Sequence, residues 1–172
     1  YGEILIDTFD DLVPRVTEQL KELADSGFYD GLTFHRVLNN FVIQGGDPNG
    51  DGTGGTGITF NDQFSVDLQH NRTGLISMAK SNDDTNDSQF FITEGPLRSL
   101  DFNHSIFGLV VEGESVRDAI SNLGRDLLTN QTPSPAGTDA NDKPLIPVTM
   151  QTVDVVADNE NGVLMLKATE GT

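Results

Sequence analysis

The chain has 172 residues, 35% of them hydrophobic, which fits one globular domain with a substantial core. Its 27 acidic and 10 basic residues give a net charge of −17. That balance repels phosphate groups and anionic lipids, so nucleic acid and membrane surfaces are not expected as partners. The lack of cysteine excludes a disulfide framework, thiol catalysis and a cysteine metal site. A monomer is the expected state, because the sequence shows no contiguous apolar patch.

The first residues carry no recognisable targeting signal. No apolar run approaches the roughly 18 residues of a membrane-spanning candidate, and the basic-then-apolar order of a signal peptide is missing. Tyr1 lies almost next to the apolar residues 4–6, so we interpret the start as a cut from a longer precursor. The compartment stays open on this interpretation, with a location outside the cytoplasm favoured over one inside it.

The first predicted elements are a strand at residues 4–6 and a helix. Pro14 suits the first turn of a helix, where its fixed φ and missing N–H cost nothing, and Gly27 ends the helix. Between these limits, apolar residues recur at helical spacing: Val16, Leu20, Leu23 and Ala24. The helix is therefore amphipathic, and we expect it to cover a sheet.

Short apolar segments separated by polar or glycine-rich loops come next, a spacing typical of an antiparallel barrel. The predicted strands are residues 32–37, 41–44, 75–79, 90–93, 106–111 and 148–156. A second helix is predicted from Val116, Ala119, Ile120 and Leu123. The expected fold is mainly β, a closed antiparallel β-barrel of about eight strands that is capped by two α-helices.

The C-terminal part of the chain is less regular. Residues 130–147 are rich in Pro, Asp, Asn, Thr and Gly, which predicts an exposed loop. Residues 158–162 could turn the chain back, so that 163–166 form a hairpin with the preceding strand, or they could open a linker to a further domain. We therefore predict one domain over residues 1–157, followed by a C-terminal extension or the start of a linker over 158–172.

Three clusters carry the chemically informative residues. They are Phe34-His35-Arg36-Val37 with Gln44-Gly45-Gly46-Asp47, Ser77-Met78-Ala79 with Ser88-Gln89-Phe90-Phe91-Ile92, and the run from Leu100 to Gly108. The first cluster places an arginine and a glutamine among apolar residues and contains no nucleophile. This pattern favours a site that polarises a substrate over a site that attacks it. Together the clusters resemble the cyclophilin family of peptidyl-prolyl isomerases, and the resemblance runs over about residues 2–156.

The resemblance implies catalysis of cis/trans rotation about the bond before proline in folding or secreted proteins, with no cofactor and no metal. Uncatalysed exchange takes roughly 10 to 100 seconds because amide resonance imposes a barrier near 20 kcal/mol. Arg36 matches the catalytic arginine, since a twisted bond makes the prolyl nitrogen an acceptor that a guanidinium can stabilise. Gln44 matches the residue that positions the substrate backbone and steadies Arg36. His35 matches a histidine beside the site that either acts there or orients its neighbours.

The resemblance also implies a groove for an extended peptide. Its apolar socket, which receives the prolyl ring, is formed by Phe41, Val42, Phe91, Leu100 and His104. Further contacts with the peptide are expected from Gly52, Thr53, Ala79, Lys80, Ser81 and Gln89. The glycine-rich loop would let a peptide backbone approach closely. The alternative for the aromatic residues is ordinary core packing, and for the glutamines an ordinary buried amide.

Several positions depart from the family pattern. Val42 replaces a methionine, which predicts a shallower or stiffer socket. Lys80 and Ser81 stand where family members usually have Asn-Ala. Ser99 replaces the tryptophan with which many eukaryotic members bind cyclosporin, so we predict weak cyclosporin binding with isomerase activity retained. The changes at Lys80, Ser81 and Ser99 leave a second function open, a proline-peptide binding or scaffold module with little turnover. The start at Tyr1 and the tail over residues 158–172 leave a third, a structural domain of a larger surface protein.

Other patterns point to functions that we do not expect. Residues 52–57 satisfy G-x-G-x-x-G without the strand-to-helix context of a nucleotide site. Asp47 opens a run like a calcium loop, but the position that needs glutamate is Ile58. A hydrolase triad can be drawn from the serines, histidines and aspartates, but no nucleophile-elbow motif supports it. His70 matches nothing in the family pattern and is expected on the surface.

Overall fold

The computed structural model describes residues 1–126, 137–157 and 162–170, which form nine β-strands and two α-helices. The strands are β1 (Gly2–Thr8), β2 (Arg36–Asn39), β3 (Val42–Gly45), β4 (Leu75–Met78), β5 (Phe90–Thr93), β6 (Ile106–Glu112), β7 (Arg125–Asp126), β8 (Val148–Ala157) and β9 (Gly162–Glu170). The helices are α1 (Pro14–Asp25) and α2 (Glu114–Ser121), and a 3-10 turn spans Arg98–Leu100.

The described strands form one curled sheet in the order β7-β2-β3-β5-β4-β6-β1-β9-β8. Eight of them pair antiparallel, and the short β7 runs parallel to β2. The prediction of a mainly β, antiparallel fold with two helices is confirmed. The prediction that the barrel is closed slightly overstates the result, because β7 and β8 are the two ends of the sheet. Isolated backbone hydrogen bonds connect the segment before β2 to β8. In one of them, the N–H of Phe34 donates to the Val148 carbonyl at 3.0 Å.

The strand predicted over residues 32–37 begins later, at Arg36. The backbone before it is engaged with β8, where the N–H of Met150 donates to the Leu32 carbonyl at 2.8 Å. Only the last part of the predicted segment is therefore available to pair with β3. In that pairing Arg36 stands directly opposite Gln44, which brings the two side chains of the first motif together.

Helix α1 has the limits that the sequence predicts. Pro14 occupies its first turn, and Gly27 follows its end with a φ of +72°, a left-handed conformation that glycine adopts without strain. Val16, Leu20 and Ala24 are buried, and the helix packs against β8. Helix α2 packs against β1, β2 and β3. The two helices thus cover the apolar interior of the curled sheet.

The C-terminal strand lies inside the sheet. β9 pairs with β1 on one side and with β8 on the other. Of the two alternatives for this segment, the hairpin with the preceding strand is therefore the arrangement observed for Gly162–Glu170. The predicted turn at 158–161 and the first part of the loop at 130–136 lie outside the described residues. Within 137–147, the N–H of Asp139 donates to the Lys143 carbonyl at 2.8 Å and closes a turn.

The core fills the concave side of the sheet. Its largest fully buried side chains include Tyr29, Phe34, Phe107, Ile43, Met78 and Ile92. Along β5, Ile92 packs into this core while its neighbour Phe91 belongs to the opposite face, as the alternation of a strand requires. Among the described residues no helix is both long and apolar enough to cross a membrane.

Candidate active site

A cavity of about 520 Å³ opens beside the ends of β2, β3 and β5. The predicted site residues that line it are Arg36, Phe41, Val42, Gln44, Gly52, Thr53, Ala79, Lys80, Ser81, Gln89, Phe91, Leu100 and His104. The structure thus brings together side chains from three separate motifs. His35 is the predicted site residue that does not line the cavity.

One side of the cavity, the polar wall, consists of Arg36, Gln44 and Gln89. The guanidinium of Arg36 lies 3.5 Å from Gln44 Oε1, at the long limit of a hydrogen bond. The Gln44 amide donates to Gln89 Oε1 at 3.0 Å. Gln89 in turn donates to the Gly52 and Gly54 carbonyls at 3.1 and 2.8 Å. A chain of side-chain bonds therefore connects the arginine to the glycine-rich loop.

Arg36 also contacts the apolar part of the site. Its guanidinium carbon lies 5.8 Å from the centre of the Phe41 ring, within the range of a cation–π interaction. Arg36 is half-buried and faces the cavity, so its donors can reach a bound molecule. The charge is thus placed between two amides and an aromatic ring.

Two residues of the apolar socket are more deeply buried than the polar wall, whereas Phe41, Leu100 and His104 are half-buried as it is. Val42 is 3% exposed and Phe91 is 4% exposed. The ring of His104 meets the edge of the Phe91 ring at 5.4 Å between centroids, and its Nδ1 lies 2.9 Å from the Met78 carbonyl oxygen. Leu100 reaches the socket from the end of the 3-10 turn. These contacts fix a small apolar recess next to the guanidinium.

His35 is buried behind Arg36. Its side chain has no protein hydrogen-bond partner at either ring nitrogen among the described residues, and the residue is 5% exposed. Burial lowers the pKa of His35, which the nearby Asp47 opposes in part. His35 does not line the cavity, so its side chain is not placed to contact a molecule bound there.

Lys80 is less available than its position in the sequence suggests. Its ammonium group pairs with Asp62 and, at 3.2 Å, with Asp83, and its side chain is 3% exposed. Burial by itself lowers the pKa of Lys80, but the hydrogen bonds to these two carboxylates raise it above its ordinary value. The stem of Lys80 therefore lines the cavity while its charge is neutralised.

The loop after β3 is folded around the carboxylate of Asp47. The Asp47 carboxylate accepts backbone N–H groups of Asn49, Asp51 and Gly52 at 2.8, 3.1 and 2.5 Å. Its oxygens are thus occupied, and the described residues contain no cluster of three or more His, Cys, Asp or Glu that could hold a metal ion. The residues of the G-x-G-x-x-G pattern lie in the same non-helical loop, and all of them except Thr56 line the cavity.

A glycine is required where the first motif ends. Gly46 has a φ of +83°, and a Cβ at this position would lie 2.5 Å from the Ser88 carbonyl oxygen. The Ser88 hydroxyl donates to the Gly46 carbonyl at 2.7 Å. This close approach joins the first motif to the second and sets Gln44 beside Gln89.

Sequence reasoning missed several residues of the cavity wall. They are Gly54, Gly55, Gly57, Thr59, Asn82, Thr85 and Asp87. Asp87 holds the glycine-rich loop, since its carboxylate accepts the N–H groups of Thr56 and Gly57 at 2.7 and 2.9 Å. Its position directly before Ser88-Gln89 was a signal that could have been used.

The expectation that His70 lies on the surface was wrong. His70 is 0% exposed, because its ring is enclosed by Ser77 of β4, by Asp101 and by Phe91. Its imidazole touches the back of the Phe91 ring and not the cavity itself.

The arrangement is suited to binding a peptide and polarising its backbone. An extended peptide can lie along the glycine-rich loop with an apolar ring in the socket, where Arg36 faces the adjoining backbone. A guanidinium and two amides offer donors and acceptors to that backbone, and the socket offers complementary shape. This is the set of groups that a reaction without bond cleavage needs.

Comparisons with known proteins agree with this chemistry. The family model described as cyclophilin type peptidyl-prolyl cis-trans isomerase/CLD matches residues 1–155. Peptidyl-prolyl cis-trans isomerase ppi1 of Schizosaccharomyces pombe is 49% identical over 118 residues, which are 67% of this chain and 76% of that protein. Peptidyl-prolyl cis-trans isomerase A of Mycobacterium tuberculosis is 43% identical over 130 residues, 74% of this chain and 64% of that protein.

A solved structure gives the same result at the level of the fold. The cyclophilin type peptidyl-prolyl cis-trans isomerase of Cryptosporidium parvum, crystallised in the presence of the dipeptide Ala-Pro, is similar to this chain with a TM-score of 0.78 at 27% identity. The likeness covers 92% of this chain and 100% of that one. With the family model matched over nearly the whole described chain, this protein belongs to the cyclophilin-type peptidyl-prolyl cis-trans isomerases.

Proposed function

We propose that this isomerase binds exposed X-Pro segments of client proteins and that Arg36 is its catalytic residue. Rotation about the peptide bond before proline requires loss of amide conjugation, which accounts for a barrier of about 20 kcal/mol. In the twisted state the prolyl nitrogen becomes a hydrogen-bond acceptor, and a donor that favours this state over the planar one accelerates exchange. A guanidinium stays charged across the physiological pH range and serves this purpose without acid–base chemistry.

The other residues of the cavity hold the peptide. The apolar socket receives the prolyl ring, so that the chain before it can turn while the ring stays fixed. Gln44 and Gln89 bond the peptide backbone, and Gln44 also steadies Arg36. Gly52, Thr53, Ala79, Lys80 and Ser81 form the walls along which the extended peptide lies. His35 supports Arg36 from behind.

The observation that carries the proposal is the position of the Arg36 guanidinium. It faces the cavity opposite Gln44 and beside the Phe41 ring of the apolar socket. A donor at the edge of a socket for a prolyl ring is adjacent to the prolyl nitrogen of a peptide seated there. No further group is needed for the reaction, and we propose neither a cofactor nor a metal.

The test is NMR exchange spectroscopy on a short X-Pro peptide with substoichiometric protein. We expect accelerated cis/trans exchange in the native protein and a loss of about hundredfold in kcat/KM for Arg36→Ala, the size found when one transition-state donor is removed. Arg15→Ala is the matched control, because it removes an exposed arginine of α1 that does not line the cavity. Peptide signals that shift without faster exchange would instead support a proline-peptide binding module with little turnover.

We further propose that the protein acts as a monomer on unfolded or proline-containing clients, without nucleic acid or membrane partners. The acidic charge of −17 supports the second part, because it repels both anionic surfaces. Sedimentation or light scattering at micromolar concentration tests the first part, and a dimer would contradict it.

Weak cyclosporin binding is expected from Ser99. This exposed serine in the 3-10 turn does not line the cavity, and it cannot reproduce the contact area or the reach of an indole N–H. We expect Ser99→Trp to increase cyclosporin affinity by about tenfold, which corresponds to ~1.4 kcal/mol. Titration of the native protein and the variant with the drug measures this, and submicromolar inhibition of the native protein would contradict the prediction.

A further inference from the structure

Three polar side chains, two of them fully buried and the third partly buried, form a connected set next to the apolar socket. We name Ser77, His70 and Asp101 the buried relay. Ser77 Oγ lies 2.9 Å from His70 Nε2, and His70 Nδ1 lies 3.3 Å from Asp101 Oδ1. Ser77 and His70 are both 0% exposed. The order of groups is that of a hydrolase triad, but no substrate can reach the serine, so hydrolysis is excluded by burial.

The relay fixes the orientation of the His70 ring. Burial lowers the pKa of His70, and Asp101 opposes this in part, so the ring is neutral at physiological pH. Nδ1–H then donates to the Asp101 carboxylate, and Nε2 accepts the Ser77 hydroxyl proton. With a partner at each nitrogen, the ring can neither flip nor turn without breaking a buried hydrogen bond.

Asp101 is itself anchored on two sides. Its Oδ1 accepts the backbone N–H of His70 at 2.6 Å, and its Oδ2 accepts Arg98 Nε at 2.6 Å. The N–H of Leu97 donates to the His70 carbonyl at 2.8 Å. These bonds tie the segment around His70 to the 3-10 turn that presents Leu100 to the socket.

The His70 ring lies against the back of Phe91. The two rings are stacked, with centroids 6.1 Å apart and planes inclined by 21°. On another side the Phe91 ring meets His104 edge-on at 5.4 Å. Phe91 therefore lines the cavity and also stacks on an imidazole that is held at both of its nitrogens.

We propose that His70 is a positioning residue of the isomerase, which holds Phe91 through a ring fixed by Ser77 and Asp101 and so sets the depth of the apolar socket. This inference rests on the proposed function, because it assigns the support of the socket in that same site. The prolyl ring must stay seated while the chain before it turns, so a Phe91 ring that can retreat into the space of His70 lowers the rate.

A double-mutant cycle tests the proposal. His70→Leu is expected to lower kcat/KM about tenfold, less than the hundredfold that a misplacement near 1 Å can cost. If His70 acts through Phe91, the same substitution changes kcat/KM by less than about twofold in a Phe91→Leu background. His70→Phe, which keeps a flat ring against Phe91, is expected to recover most of the lost activity. Equal losses from His70→Leu in both backgrounds would overturn the proposal.

Thr17→Val is the control for general destabilisation. Thr17 is 1% exposed in α1, and its hydroxyl donates to the Val13 and Pro14 carbonyls at 3.4 and 3.2 Å. Its loss is expected to leave kcat/KM unchanged at a temperature well below the melting transition. A loss of activity equal to that of His70→Leu would show that stability alone explains the effect and would also overturn the proposal.

A second measurement separates this proposal from the proposed function. If the native protein binds an X-Pro peptide without accelerating exchange, the proposed function fails, and peptide affinity from NMR titration then tests His70. The expected result is a peptide affinity at least threefold weaker in His70→Leu, together with changed rotamer populations of the Phe91 ring. A threefold change in affinity corresponds to about 0.7 kcal/mol of binding free energy. Unchanged affinity and an unchanged Phe91 ring would overturn the role of His70.

Discussion

The two sides of the groove are built differently. The polar wall of Arg36, Gln44 and Gln89 is half-buried, and its first hydrogen bond is long at 3.5 Å. In the apolar socket, Val42 and Phe91 are buried at 3% and 4% exposure, and Phe91 lies between two histidine rings, whereas Phe41, Leu100 and His104 are half-buried. If the proposed function holds, the side that carries charge can adjust to a turning peptide, whereas the Phe91 ring that supports the prolyl ring is held in one position.

This difference assigns distinct roles to the two sides. A hydrogen-bond donor that follows the prolyl nitrogen must be free to move by a fraction of an ångström during rotation. A socket that yields by the same amount would let the ring rotate with the rest of the peptide. Substitutions in the polar wall should therefore reduce activity with little loss of stability, and substitutions in the socket should reduce both.

The largest effect that distinguishes the two sides is expected from Phe91→Ala. Removing a buried phenylalanine costs about 3 to 5 kcal/mol of unfolding free energy. We expect kcat/KM to fall by about hundredfold as well, because the prolyl ring loses its support. Urea unfolding measures the first quantity, and NMR exchange at low temperature measures the second.

Ile92→Ala is the matched control for Phe91→Ala. Ile92 is the next residue of β5, is 0% exposed and points into the core instead of the cavity. Its truncation costs about 2 to 5 kcal/mol but leaves the socket lined as before. If Ile92→Ala reduced kcat/KM as much as Phe91→Ala did, the distinction between socket and core would fail.

A smaller effect is expected in the polar wall. Gln44→Ala should lower kcat/KM by about tenfold, with less than about 1 kcal/mol of unfolding free energy lost, since a part-buried amide bond contributes about that much. Gln89→Ala should act similarly, and the two losses should not add, because Gln44 bonds Gln89 directly at 3.0 Å. Gln19→Ala in α1 is the control. Strictly additive losses would show that the two amides work independently.

The residues of the polar wall could be predicted from the sequence, whereas the support of the socket could not. Arg36 and Gln44 lie in one hairpin, so their pairing follows from a local motif and the period of a strand. His70, Ser77 and Asp101 come from separate segments, and their proximity follows from packing alone. A lone histidine in a polar stretch offers no periodic pattern that predicts its burial.

The fold shows the same division between local and long-range information. Helix α1 and strand β5 were predicted closely because their apolar periodicity and end signals are local. The position of β9 between β1 and β8 was not predicted, because strand order depends on pairing between segments far apart in the chain. The late start of β2 has the same cause, since β8 takes up the backbone of the residues before it.

The effect expected to change activity least concerns acid stability and the buried histidines His35 and His70. Burial lowers the pKa of both His35 and His70 from the ordinary value of 6.5. Below that value the unfolded chain takes up protons that the folded protein resists, so the unfolding free energy falls as pH decreases toward the lowered values. Each histidine contributes up to about 1.4 kcal/mol per pH unit in this window.

Urea unfolding at pH 7.5 and 5.5 measures this loss, and the leucine variants divide it between the two sides. His35→Leu and His70→Leu should each remove about half of the pH dependence. At pH 7.5 they should differ, because within the described part of the chain His35 has no protein partner at either nitrogen, whereas removal of His70 takes away the hydrogen-bond partner of the Ser77 hydroxyl. An unpaired buried group costs about 1 to 3 kcal/mol, so His70→Leu should be the less stable variant. Equal stabilities at pH 7.5 would mean that the histidine behind the socket is held no more firmly than the one behind the polar wall.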